Sequence, residues 1–206
     1  MNEQEALWAG TFGNDYTKRM DGNAWIESNV DFFAKALIKA KGINSILELG
    51  CNRGLNLAAL EYLDSSTLKT GLDINKDALN ELFGMFEELK LDKPFVHCGS
   101  INQFDTLNTY DLVFTKGVLI HINPKDLESV YDKMYALSNK YILVCEYYNP
   151  TPMMIPYRGM DNKLFKRDFA GELIDRFKLK LVDYGFCYRR DKHPQDDITF
   201  FLLEKV

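Results

Sequence analysis

Apolar positions along the chain switch repeatedly between the spacing of a helix and that of a buried strand. Ile26, Val30, Phe33 and Leu37 recur at helical spacing in AWIESNVDFFAKALIKAKG, which predicts a helix closed by Gly42 as its C-cap. SILELG then reads as a short apolar strand, NLAALEYL as a helix and KTGLDI as a second strand. NKDALNELFGMFEELK is an amphipathic helix with Asn75 as its N-cap. PFVHCGS and YDLVFTKG are further strands. NPKDLESVYDKMYALS is a helix entered through Asn123 and Pro124, a capping residue followed by proline at the first helical position, and KYILVCEYY is a strand. Strands alternating with helices predict an α/β protein with a mostly parallel sheet covered on both faces.

Beyond Glu146 the alternation stops. YYNPTPMMIPYRGMDNKLF, with three prolines and three methionines, reads as a long loop or lid. A helix over KRDFAGELIDRF follows, then two strands, KLVDYGFCYRR and DITFFLLEKV, joined by the turn-rich DKHPQDD. Strands connected this closely pair antiparallel, so the sheet is expected to end in a hairpin. The expected organisation is one domain over residues 1–206. Residues 1–44 form an N-terminal helical cap, 45–146 the core, 147–163 the loop or lid, and 164–206 the last helix and hairpin.

Composition narrows the functional classes. Hydrophobic residues make up 46% and charged residues 27%, the balance of a soluble globular chain. A net charge of -5 argues against a nucleic-acid partner, which demands a concentrated basic face. The opening MNEQEALWAG has no basic stretch followed by an apolar run, and no run reaches membrane-spanning length. The expectation is a cytoplasmic protein with no membrane partner. Cys51, Cys98, Cys145 and Cys187 are scattered, without a C-x-x-C pair, and read as small buried thiols.

The chemistry concentrates where the first strand turns into the next helix. Ligands of parallel α/β sheets bind beyond the carboxyl ends of the strands, and Glu48, Gly50, Cys51, Asn52 and Gly54 occupy the first such end. Three readings fit this turn: a methyl-donor site, a dinucleotide site, and a purely structural carboxylate. A dinucleotide site wants G-x-G-x-x-G, whereas this chain has G-x-x-x-G with Asn52 between and Glu48 close enough to repel a pyrophosphate. Glu48 suits a cationic ligand such as S-adenosylmethionine, which carries an amino group and a sulfonium. Asp73 ends the second strand about twenty residues on, where a carboxylate accepts ribose hydroxyls, with Ile74 beside it. Ser100 and Ile101 end the third strand, near the expected adenine edge. Thr115, Lys116 and Gly117 end the fourth, beside the ligand.

Glu48-x-Gly50-x-x-x-Gly54, Asp73 and YDLVFTKGVLIHI, in this order, resemble the motifs of class I S-adenosylmethionine-dependent methyltransferases. The resemblance implies a Rossmann-like sheet of seven strands with a reversed final hairpin, and S-adenosylmethionine as cofactor. A narrower similarity spans nearly the whole chain. LWAGTFGNDYTKR, ILELGCNRGLNL, DLVFTKGVLIHINP, EYYNPTPMMIPYRG, LFKRDFAGELID and QDDITFFLLEK look like the methylases associated with pseudaminic acid biosynthesis. That similarity implies a small acceptor, a nonulosonic acid or a precursor or nucleotide-activated form, methylated on oxygen or nitrogen for a bacterial surface or flagellar glycan. Asn52, in place of a middle glycine, departs from the common superfamily motif.

Residues before the first strand of such enzymes close over the methionine end of the cofactor, which makes Tyr16, Arg19 and Trp8 the candidates here. His121, after the fourth strand, is the candidate general base for a hydroxyl acceptor; an amine acceptor needs none. His97 reads as a core histidine and His193 as a solvated one. Glu146, Tyr147, Tyr148, Asn149, Tyr157 and Arg158 are candidate acceptor contacts, with aromatic faces for a sugar and a guanidinium for its acidic group. No tight cluster of acidic or histidine residues suggests a metal, and the chemistry is read as metal-independent. The competing readings are a methyltransferase for another metabolite, a non-catalytic scaffold in a glycosylation complex, and a nucleotide-sugar dehydrogenase that binds NAD.

Overall fold

The apolar runs fold into a central sheet whose two faces follow from strand alternation. Its strands are β1 (Ser45–Leu49), β2 (Leu68–Asp73), β3 (Phe95–Cys98), β4 (Tyr110–Lys116), β5 (Ser138–Glu146), β8 (Lys180–Cys187) and β9 (Ile198–Glu204). They lie in the order β3-β2-β1-β4-β5-β9-β8. The first five are parallel, and β9 runs antiparallel to both β5 and β8. This computed structural model describes residues 1–19 and 22–206.

The helices are α1 (Glu3–Ala9), α2 (Thr11–Arg19), α3 (Asn23–Ala36), α4 (Leu55–Leu63), α5 (Lys76–Glu88), α6 (Leu127–Leu137) and α7 (Phe169–Phe177). Ile46, Leu112, Phe114, Leu143 and Leu202 point to one face and pack under Phe33, Leu57 and Leu82 of α3, α4 and α5. Their neighbours Leu47, Leu49, Val113, Ile142 and Leu203 point to the other, against Leu127, Val130 and Met134 of α6 and Leu173 of α7. Each buried leucine or phenylalanine stabilises the fold by roughly 1.5–3 kcal/mol relative to exposure. Among the described residues no helix is long and apolar enough to cross a membrane.

Several local expectations are corrected. The segment read as a lid contains a separate antiparallel hairpin, β6 (Met153–Tyr157) with β7 (Met160–Lys166). Its connection is Arg158-Gly159, both at positive φ (51° and 78°), the geometry of a two-residue hairpin turn. α3 stops at Ala36, a turn and a half before Gly42, where the backbone tightens into i→i−3 turn bonds, Ile38 N–H to the Lys35 carbonyl (3.4 Å) and Ala40 N–H to the Leu37 carbonyl (2.9 Å). Asn123 caps a turn over 123–126, accepting from the Lys125 N–H at 3.0 Å, and α6 begins only at Leu127. β3 is an edge strand, so His97 and Cys98 are exposed, against the core positions expected of them, and Cys187 is half-buried. The expected cap at Asn75 is present: its side chain accepts from the Ala78 N–H at 3.0 Å.

Candidate active site

The strand order reverses between β1 and β4, which opens a crevice above their carboxyl ends. A cavity of about 440 Å3 fills it, running from Asp73 and Ser100 at one end to His121 and Tyr157 at the other.

The glycine turn forms its floor. Gly50 sits at φ 84°, and a Cβ there would lie 2.5 Å from Val118, so both conformation and space require glycine. Asn52, the departure from the superfamily pattern, takes φ 46°, a left-handed conformation that asparagine tolerates. Its N–H donates to Asp73 Oδ2 at 2.6 Å and its side-chain amide to Thr17 Oγ1 at 3.0 Å, which ties the turn to α2. Asp73 also accepts from the Asn75 N–H at 2.8 Å. Burial raises its pKa against those bonds, and the carboxylate faces the cavity with acceptor capacity to spare. Cys51 and Ile74 complete this wall.

α1 roofs the same end. Asn2 and Glu5 form a capping box, and the free oxygen of Glu5 takes a short hydrogen bond from the Ser100 hydroxyl. Ile101 and Asn102 lie beside it on the cavity wall. α1 and α2 dock on the start of α5 through Asn75, whose amide donates to the Trp8 carbonyl (3.0 Å) and to Asn14 (2.7 Å). Trp8 turns its ring edge to Tyr16 at 5.3 Å, and the Arg19 guanidinium lies 5.7 Å from the Tyr16 ring. Burial pushes the Tyr16 phenol above its usual range.

At the far end His121 closes a short turn after β4. Its ring is 8% exposed and packs between Trp8 (4.7 Å) and Tyr157 (4.9 Å). Nδ1 lies 2.7 Å from the Lys163 carbonyl, which can only accept; Nδ1 therefore carries the proton and Nε2 a lone pair. Burial holds the imidazole pKa down to about 4, so the ring is neutral near pH 7. Tyr147, Arg158, Lys116 and Gly117 also line the cavity. The Tyr147 phenol is pushed up to about 12, chiefly by burial, and the Lys116 ammonium is lowered by burial.

Six expected site residues do not reach the cavity. Glu48 shares the face of Ile46, under α4, and is 1% exposed; Oε1 accepts from Asn56 at 2.6 Å, and it is Asn56 that lines the cavity. Gly54 is buried beneath Leu82 and Phe86, and Thr115 alternates away from Lys116 into the sheet. Glu146 is 2% exposed and turned inward, accepting from the backbone N–H groups of Val118 (3.1 Å), Leu119 (3.1 Å) and Ile120 (3.4 Å). Tyr148 lies on the outer sheet surface near Phe201, and Asn149 donates back to the Thr151 carbonyl at 2.6 Å. His193 lies away from the cavity too.

Trp25, Asn29 and Gln195 line the cavity without having been anticipated. Gln195 is 3% exposed and reaches α3, donating to the Ser28 carbonyl (3.0 Å) and Asn29 Oδ1 (3.1 Å). The available signal was Ser28-Asn29, two polar residues beside the apolar stripe of α3.

Burial raises the Glu48 pKa from 4.5 to about 8, opposed by the Asn56 bond and the nearby Lys116 charge. The folded state thus keeps a proton that the unfolded chain releases between pH 4.5 and 8. Stability from this group is full below 4.5 and is lost as pH rises through 8. Glu48→Gln is expected to be more stable than wild type at pH 8 by on the order of 3 kcal/mol, with little difference at pH 4.5. Urea unfolding at both pH values checks this; parallel pH profiles would contradict it.

Residues 46–140 match the family model described as a methyltransferase domain. No curated protein sequence matches the chain. Among solved structures, magnesium protoporphyrin IX methyltransferase from Synechocystis PCC 6803 with bound SAH superposes with a TM-score of 0.74 at 14% identity, covering 99% of this chain and 100% of that one. A Burkholderia thailandensis 1,6-didemethyltoxoflavin-N1-methyltransferase with bound 1,6-didemethyltoxoflavin and S-adenosylhomocysteine gives 0.74 at 12% identity, over 98% and 87% of the two chains. The mitomycin 7-O-methyltransferase gives 0.75 at 13% identity, over 100% and 61%. The seven-stranded sheet with its reversed final hairpin, the glycine turn at its switch point and the matched domain agree. Residues 46–140 thus carry the match to a methyltransferase domain, and the whole chain shares the fold of these solved methyltransferases.

Proposed function

We propose that this enzyme methylates a small acidic sugar, a nonulosonic acid or its precursor or nucleotide-activated form, on oxygen or nitrogen. The observation that carries the acceptor's acidity is the set of cations along the cavity. Among the described residues, Lys116, Arg19 and Arg158 line it without a salt bridge; each lies near an aromatic ring, Phe32, Tyr16 and Tyr157 respectively, and Lys116 also feels the more distant charges of Glu48 and Asp196. An acidic ligand would give these cations a close counter-charge. Tyr147, Tyr157 and Trp8 supply the aromatic faces that a sugar ring uses. The similarity to methylases of pseudaminic acid biosynthesis supports the same class.

S-adenosylmethionine fits this cavity. Asp73 offers acceptor oxygens at one end, and a Cβ on Gly117 or Gly99 would meet nothing within 4 Å, so backbone is open to close approach on the wall. Asp73 would hold the ribose, Ile74, Ser100 and Ile101 the adenine, and Cys51, Asn52, Tyr16 and Arg19 the methionine portion. The cofactor supplies an electrophilic methyl group. The chain's own task is to fix an acceptor atom near it, exclude water and manage a proton. Trp8, Tyr157 and α1 do the excluding. His121 Nε2, neutral and facing the cavity, takes the proton that an acceptor hydroxyl gives up. A neutral amine acceptor would leave His121 a packing role.

The test is incubation of the enzyme and radiolabelled S-adenosylmethionine with a panel of nonulosonic acids and their nucleotide-activated forms. Labelled sugar acid is expected, and label only in acceptors of another class would contradict the reading. His121→Ala is expected to lower turnover about 100-fold while S-adenosylhomocysteine affinity changes less than about twofold. Full activity in that variant would remove His121 as the base and favour a nitrogen acceptor.

A further inference from the structure

α1 covers the cavity but is weakly held by apolar packing. Of its seven residues Gln4 alone is buried. Besides the ring contacts of Trp8 and the Asn75 bond to its carbonyl, four polar ties reach three further elements. Asn2 donates to Asp126 before α6 at 2.8 Å, Glu5 accepts from Ser100, and Gln4 donates to the Asn162 carbonyl of β7 at 3.2 Å. The fourth is Glu3, whose carboxylate lies 2.6 Å from the Lys163 ammonium. The Lys163 side chain is 10% exposed, and Glu3 is its one acidic partner among the described residues. Were α1 to lift, a nearly buried cation would lose its counter-charge.

Lys163 is also the residue whose carbonyl fixes His121 Nδ1. Trp8, on the same α1, packs against that imidazole, with ring centroids 4.7 Å apart. The roof, the hairpin strand and the imidazole therefore meet at one residue.

We propose that Lys163 is a positioning residue: its ammonium latches α1 through Glu3, and its carbonyl, held in place by that latch, keeps His121 protonated at Nδ1 with Nε2 toward the acceptor. Seating of α1 over a bound ligand and preparation of the base are then one event. A ligand enters with α1 raised, β7 relaxed and His121 free to exchange tautomers; closure restores the Glu3–Lys163 pair and the working tautomer together. The catalytic consequence rests on His121 acting as the base, whereas the coupling itself does not.

The experiment reads the coupling directly. In full-length, 15N-labelled protein saturated with S-adenosylhomocysteine, long-range 15N–1H spectra report the tautomer of each of the three histidines. Wild type is expected to show His121 as the Nδ1–H form. Glu3→Gln, at a side chain 86% exposed, and Lys163→Met are both expected to reduce that form by about twofold or more, with Lys163→Arg restoring it. The same two variants are expected to lose about tenfold in turnover at unchanged S-adenosylhomocysteine affinity. An unchanged Nδ1–H population in Glu3→Gln would overturn the proposal, even if Lys163→Met proves too unstable to measure. A tautomer shift without loss of turnover would keep the coupling and overturn the role of His121, separating the two claims.

Discussion

Glu146→Ala is expected to destabilise the protein by about 4 kcal/mol and to lower its melting temperature by roughly 10 °C. Three consecutive backbone N–H groups, on Val118, Leu119 and Ile120, converge on this one buried carboxyl, and the segment they belong to is the turn that ends in His121. Alanine leaves those donors without their acceptor at the end of β5. Each unsatisfied buried donor costs about 1–3 kcal/mol, and partial entry of water brings the sum toward the lower end. Burial has raised the Glu146 pKa to about 7 even against three donors. Glu146→Gln keeps one oxygen for Val118 and Leu119 and is expected to lose only about 1–2 kcal/mol. Differential scanning calorimetry of both variants checks the ordering. Equal melting temperatures for wild type and Glu146→Ala would show that the turn holds itself, without its carboxyl.

Asp73→Ala is expected to weaken S-adenosylhomocysteine binding by about 100-fold or more. A charged acceptor for two ribose hydroxyls contributes about 1.5–3 kcal/mol per hydrogen bond, and alanine removes both. The same carboxylate accepts from the Asn52 and Asn75 N–H groups, so its loss also loosens the floor of the cavity and the entry to α5. Asp73→Asn keeps an oxygen for one of these bonds and separates the effects. It is expected to fold like wild type and still bind at least about tenfold more weakly. Calorimetric titration of the two variants checks this, and wild-type affinity in Asp73→Asn would remove the ribose from Asp73.

The parts of this molecule legible in its sequence are those written in period. Ile46/Glu48 against Leu47/Leu49 assigns the two faces of β1, and the same alternation through β4 and β5 yields a sheet with two covered faces. Punctuation was legible too: Gly50 marks the turn at the switch point, and Asn75 caps α5. The β6–β7 hairpin is not legible because Pro152 precedes and Pro156 interrupts its first strand, and Met153-Met154-Ile155 has no alternation of apolar and polar residues. Its turn is Arg-Gly rather than the Asn-Gly that signals such a connection. Side-chain direction at a strand end escaped for a different reason. Glu48, Glu146 and Tyr148 stand at the right height for the cavity, but whether such a side chain turns toward a ligand or toward the nearest unpaired N–H depends on the next segment's path. The apolar strand around His97 and Cys98 predicts core positions, but strand order, which puts β3 at an edge, is not carried by any local pattern.

The glycine turn over β1 is expected to hold a methyl donor, and the wild-type arm of the same titration decides whether it does. Purified protein titrated with S-adenosylhomocysteine, and separately with NAD, is expected to bind the first with a dissociation constant in the micromolar range, about -8 kcal/mol, and the second not at all. Binding of NAD in place of S-adenosylhomocysteine would contradict the account.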